Sequence, residues 1–160
     1  MGERGQYQRI IGAGFLEICS PRIKRAYEYW DSKRRGRPMP SRADIDPNEI
    51  RDLLPGIILI DVAHDPLRLT YRLVGTDEVE ARGYDPTGKD VKEHVFAVTP
   101  DFGMETYVLA AERGVVVYDQ EPWAAPNPRL AEVGSVVMPL SSDGRIVNKL
   151  MAFCDYRRSD

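Results

Sequence analysis

The stretch from Ile57 to Thr76, IILIDVAHDPLRLTYRLVGT, decides how the rest of the chain is read. Ile57 to Ala63 is a nearly continuous aliphatic run, which suits a central strand covered on both faces. His64-Asp65-Pro66 is turn chemistry. Beyond it Leu69, Tyr71 and Leu73 alternate with Thr70 and Arg72, the period of two that marks a half-buried strand. Together these runs predict a β-hairpin.

Working outward toward the C-terminus, Thr76 to Arg82 reads as one or two helical turns, with Asp77 and Glu78 at the positive end of the dipole. Asp85-Pro86-Thr87-Gly88 is a turn, and Val91 to Ala97 is short. Thr99-Pro100-Asp101 opens a helix running to Gly114. Three strands follow: Val115 to Glu121, Leu130 to Leu140 after a Pro-rich loop, and Arg145 to Tyr156 across the Ser142-Asp143-Gly144 turn. Toward the N-terminus, Ser20 caps and Pro21 opens a helix whose stripe is Ile23, Ala26, Tyr27 and Trp30. The bases Lys33, Arg34 and Arg35 fall in its last turn and Gly36 is its expected stop. Asp46-Pro47-Asn48-Glu49 starts a second, short helix. Residues 1–19 read as a frayed arm with an amphipathic segment at 10–18. The expected class is α+β, one antiparallel sheet with short helices on one face and an N-terminal helical extension lying outside that core as a cap or dimer arm.

Two strands, a knot of short helices, then three strands is the element order of a PAS domain. The sequence resembles one family in particular: small, often stand-alone bacterial PAS proteins first catalogued as a domain of unknown function. The resemblance is carried by Tyr29-Trp30, Met39-Pro40-Ser41-Arg42-Ala43-Asp44-Ile45-Asp46-Pro47, Leu53-Leu54-Pro55, Tyr71-Arg72-Leu73-Val74-Gly75-Thr76, Thr87-Gly88-Lys89 and Pro139-Leu140-Ser141-Ser142-Asp143-Gly144. It implies a sensory or docking module with a five-stranded sheet and a cavity beneath it. It transfers a fold and a role class but no catalytic residue. On this reading residues 1–19 are an arm, 20–55 an N-terminal helical region, and 56–157 the PAS-like core.

Composition sets the outer bounds. The 160 residues are 42% hydrophobic and 29% charged, the balance of a soluble globular chain. No run approaches a membrane span. The apolar run Ile10 to Leu16 is too short for a secretory signal, and Gln6 stands where a myristoylation signal needs Ser or Thr. A cytoplasmic location without membrane attachment is expected. The net charge of −3 argues against nucleic acid as the main partner. The charge is unevenly spread: residues 21–46 carry eight bases against four acids, and residues 74–121 eleven acids against four bases. Two solvated faces explain this; head-to-tail pairing of two copies and steering of a charged partner are the alternatives.

Motifs for catalysis are missing. Gly12-Ala13-Gly14 has no preceding strand and has Glu17 at the third glycine position, so the dinucleotide fingerprint fails. There is no Walker loop, GxSxG or HExxH, and no catalytic residue is assigned. Cys19 and Cys154 form no CxxC, and with His64 and His94 they give no metal-ligand spacing. Neither cysteine sits in the Asn-Cys-Arg context of a flavin-adduct PAS domain. A haem would need an axial ligand, for which His94 is the sensible candidate; a hydrogen-bonded structural role is the plainer reading of that histidine. The cofactor is unknown.

A small organic ligand would be enclosed by Tyr107, Tyr118, Trp123, Met138, Cys154 and His94, unless those side chains simply fill the core. The last strand separates a charge-free phase (Ile146, Asn148, Leu150, Ala152, Cys154, Tyr156) from one holding Val147, Lys149, Met151, Phe153, Asp155 and Arg157. The second phase should face out, yet Val147, Met151 and Phe153 need a cover. Segment 10–18, with Ile11 and Phe15, is the expected cover, from the same chain or a second copy. Two functional readings follow. One is a non-catalytic PAS-type sensory or adaptor protein acting through protein contacts and homodimerisation. The other is a small-molecule receptor or carrier using the cavity.

Overall fold

The computed structural model describes residues 8–95, 100–120 and 126–159. Its centre is a six-stranded, wholly antiparallel sheet. In chain order the strands are β1 (Gln8–Ile11), β2 (Ile57–Ala63), β3 (Arg68–Val74), β4 (Val117–Gln120), β5 (Leu130–Leu140) and β6 (Lys149–Arg158), arranged β1-β4-β5-β6-β2-β3. The helices are α1 (Pro21–Ser32), α2 (Thr76–Arg82), α3 (Val91–His94) and α4 (Pro100–Arg113).

Register fixes which side chains share a face, because directly paired residues of an antiparallel ladder point the same way. Val117, Val137, Ala152 and Ile58 form one row, and Ser135 pairs with Cys154 on the same side. This inner face lies under α2, α3 and α4. Tyr118, Val136, Phe153 and Ile57 form the opposing row, with Met138, Met151 and Leu59 beside it. This outer face lies under α1. The helices of the core thus roof one face, and the N-terminal helical extension caps the other.

The cover over Phe153 on the outer face differs from expectation. It is α1 that lies over Phe153: Arg22 stacks on the Phe153 ring at 5.4 Å and Trp30 Nε1 donates to the Pro139 carbonyl at 2.9 Å. An amphipathic helix offers a longer apolar stripe than the glycine-punctuated 10–18 segment, so it takes the Phe153 end of the face. That segment covers the Tyr118 end of the same face and also lengthens the sheet. Gln8–Ile11 adds a sixth strand on the β4 edge, and the 3-10 turn Gly14–Glu17 drives Phe15 between Tyr118 and Tyr27.

Element bounds follow the sequence closely at β2, β5, α2 and the start of α1, where Ser20 Oγ accepts from the Ile23 amide. Two ends move. Helix α1 stops at Ser32, before Gly36, because Arg37 reaches back to the Arg34 and Lys33 carbonyls and Arg35 turns to φ 52°. Strand β6 begins at Lys149, not Arg145. The Asp143 carboxylate accepts from the Arg145 and Ile146 amides at 2.8 and 2.9 Å, which withdraws both from the ladder. Those bonds hold the Asp143 carboxyl down at about 2.

Candidate functional site: the polar network between α2 and the sheet

Helix α2 is short, and two of its seven residues place a buried ion pair against the inner face. Glu78 and Arg82 are four apart, so they share one side of the helix. The Arg82 Nε to Glu78 Oε2 distance is 2.9 Å, and both side chains are almost fully buried. A bare buried pair is costly to desolvate, so its remaining polar atoms must be satisfied. Tyr156 of β6 donates to Glu78 Oε1 at 2.7 Å. Arg82 Nη1 donates to Tyr71 Oη at 3.2 Å and to the His94 carbonyl at 3.1 Å. Tyr71 donates to that same carbonyl at 3.3 Å, and Arg82 also stacks on the Tyr71 ring. The network thus links α2, α3, β3 and β6.

Its electrostatics follow from burial. Desolvation pushes the Tyr71 phenol up to about 12, against the opposing pull of Arg82. Burial raises Tyr156 much further, helped by the Glu78 carboxylate. Cys154 lies on the same face, and its thiol is raised well above its ordinary value by burial and then by Glu78. Such a thiol is a poor nucleophile at neutral pH. Tyr107 of α4, half-buried, is raised by burial and by the neighbouring Tyr71 and Cys154.

The residues expected around a ligand are divided by the sheet. Tyr107 and Cys154 lie on the roofed inner face. Tyr118 and Met138 lie on the outer face, Tyr118 stacked on Phe15 at 5.0 Å; odd spacing along β4 and β5 sends them across the sheet from Cys154. His94 sits in α3, with its Nδ1 2.9 Å from Tyr84 Oη, the hydrogen-bonded role. Trp123 lies outside the described residues. Of the residues expected at an interface, Phe15, Val147, Met151 and Phe153 are buried within this chain, and Ile11 is 47% exposed. Sequence reading passed over Glu78, Arg82, Tyr71 and Tyr156. The i, i+4 spacing of opposite charges in a predicted helix was the available signal, and assigning Glu78 to the helix dipole hid it.

A second polar cluster fastens the N-terminal strand to the roof. Arg9 Nε bonds Asp119 Oδ1 at 2.7 Å, its Nη2 reaches Thr106 Oγ1 and the Phe102 carbonyl, and Nη1 pairs with Glu105. Much of the basic run near α1 is used within the chain: Lys33 with Glu49, Arg34 with Asp31, Arg37 with Asp44, and Arg25 with Asp52. Among the described residues no group of acids, histidines and cysteines could hold a metal, and no helix is long and apolar enough to cross a membrane.

A family model described as PAS domain matches residues 19–143, stopping just before β6. No curated protein and no solved structure matches the chain.

Proposed function

The chain belongs to this PAS domain family, whose members are sensory and signalling modules and generally non-catalytic, and on that premise we propose that it is a cytoplasmic adaptor working through protein contacts and self-association. The observation that supports an adaptor is the closure of the inner polar network. Among the described residues, the hydrogen bonds of Glu78, Arg82, Tyr71 and Tyr156 join these four side chains to one another and to the His94 carbonyl. A receptor pocket needs polar groups held in reserve for its ligand. A network already satisfied couples the helical roof to the sheet, and signals passing between the two surfaces would pass through it.

The second reading, a small-molecule receptor, is favoured by Tyr107 and Cys154, which meet on the same face with deeply desolvated polar tips. Native mass spectrometry of the purified protein, run over a concentration series, separates the two. The adaptor predicts a concentration-dependent dimer with the bare chain mass after denaturation. A monomer that releases a stoichiometric small molecule on denaturation would overturn the adaptor in favour of the receptor.

A further inference from the structure

The outer face is not covered throughout. Helix α1 lies over β5 and β6, and the β2–β3 end carries a groove of about 320 Å³ lined by Arg42, Leu59, Arg72, Leu73 and Lys149. Its composition is sharply biased. Two leucines and three cations line it. Leu73 is 49% exposed. Lys149 is paired with Asp61, whereas Arg42 bonds only the Ile45 carbonyl and Arg72 forms no ion pair among the described residues.

A register shift builds this groove. Ile60 pairs with Tyr71 and Leu59 with Leu73, so Arg72 has no partner on β2 and is the extra residue of a β-bulge. With regular alternation Leu73 would follow Tyr71 onto the inner face. The bulge turns it outward and sets Arg72 and Leu73 consecutively on the same side. An apolar residue is thus taken out of the core and placed among cations, two of which, Arg42 and Arg72, form no ion pair among the described residues. That is costly in a strand with no external role.

We propose that this groove docks an extended segment of a partner protein carrying carboxylates on both sides of a leucine-like residue. Charge complementarity selects the carboxylates: the groove's lining holds three cations and no acid, and among the described residues the two arginines form no ion pair while Lys149 is paired with Asp61. Exposed Leu73, beside the partly buried Leu59, selects the apolar residue. Size selects a segment over a second copy, because five lining residues fall far short of the roughly 800 Å² per partner that a stable dimer buries. The strand edge itself is closed to pairing at Tyr71, whose amide and carbonyl are bonded to Lys89 and Gly88, so recognition runs through side chains.

The proposal rests on the protein-contact reading above, and its test is independent of it. A fluorescein-labelled Asp-Glu-Leu-Asp-Leu-Glu peptide is titrated into the full chain by anisotropy, beside a version with lysines for the acids and one with serines for the leucines. The acidic leucine peptide should bind, weaken as salt is raised, and lose roughly tenfold or more in affinity with Arg72→Glu and with Leu73→Ser. Arg113→Glu, on α4 beyond the groove, should leave binding unchanged. Equal binding of the lysine peptide, or equal loss with Arg72→Glu and Arg113→Glu, overturns the proposal. A dimer that Arg72→Glu dissociates while no peptide binds assigns the groove to a second copy and also overturns it. In that last case the adaptor reading survives, whereas a monomer releasing a small molecule would sink the adaptor reading without touching the peptide titration.

Discussion

Tyr71 and Leu73 stand two residues apart on one strand and face opposite sides of the sheet. Tyr71 points inward to Arg82, and Leu73 lies outward beside Leu59. The bulge at Arg72 separates them. The two positions therefore carry different burdens, one in the polar network beneath the roof and the other on an open surface.

The first expected outcome concerns that difference. Leu69→Ala removes a fully enclosed inner-face side chain and should cost about 2–5 kcal/mol. Leu73→Ser should cost below about 1 kcal/mol, because the side chain is half in water. Urea unfolding of both variants measures this. A Leu73→Ser loss equal to that of Leu69→Ala would place Leu73 in the core after all.

The Glu78–Arg82 pair should behave as a buried unit. Glu78→Ala leaves a guanidinium without its carboxylate and should destabilise by about 3–5 kcal/mol. The double replacement Glu78→Leu with Arg82→Met removes both charges and should cost markedly less than the two single losses combined. A double-mutant cycle by urea unfolding reads the coupling. Additive single losses would show that the two groups act independently.

Alkali should loosen the fold through the same groups. Tyr71 titrates near 10 when unfolded and about 12 when folded, so between those values the native chain holds a proton that the unfolded chain has released. Stability therefore falls as pH rises through this window, by about 2–3 kcal/mol from Tyr71 alone. Cys154, Tyr107 and Tyr156 are shifted in the same upward direction and add to the loss. Urea midpoints at pH 8, 9, 10 and 11 check the slope. A midpoint that holds steady or rises above pH 10 would contradict it.

Glycine at 75 is required by a close approach of backbone. A Cβ there would sit 2.5 Å from the Leu54 carbonyl oxygen and closer still to that of Pro55, neither of which can swing aside. The Gly75 amide also donates to the Ile57 carbonyl at 2.7 Å, anchoring the start of α2 to β2. Gly75→Ala should unfold the chain or cost several kcal/mol. Gly83→Ala meets open space and strains only a φ of 90°, so about 1 kcal/mol is expected. Thermal melts of the pair compare them directly. Similar melting points would remove the close approach as the cause.

How much of this was legible beforehand depends on the range of the interaction. The hairpin strand Ile57–Ala63, the strand Leu130–Leu140 and the capped start of α1 were readable because local propensity, turn chemistry and capping all act within a few residues. The phase of β6 was readable for the same reason: charge placement along one strand separates Cys154 and Tyr156 from Phe153 and Asp155. Gln8–Ile11 was not readable as a strand. Four residues beside glycines carry little propensity, and Arg9 finds Asp119, Thr106 and Glu105 only across about a hundred residues of chain.

The division of the expected pocket set was equally out of reach, because facing depends on register between strands and not on periodicity within one. Tyr118 is assigned to the outer face by its pairing with Val136, and Leu73 by a bulge that no side chain announces. Sequence by itself determined the element order from α1 onward, the antiparallel α+β class and the family's sensory role. Tertiary structure alone decided that α1 takes the outer face, that Glu78 and Arg82 close a network with Tyr71 and Tyr156, and where a cationic groove stays open. The reason is physical: helices and turns are specified by neighbours in the chain, whereas burial and charge pairing are settled by which distant surfaces meet.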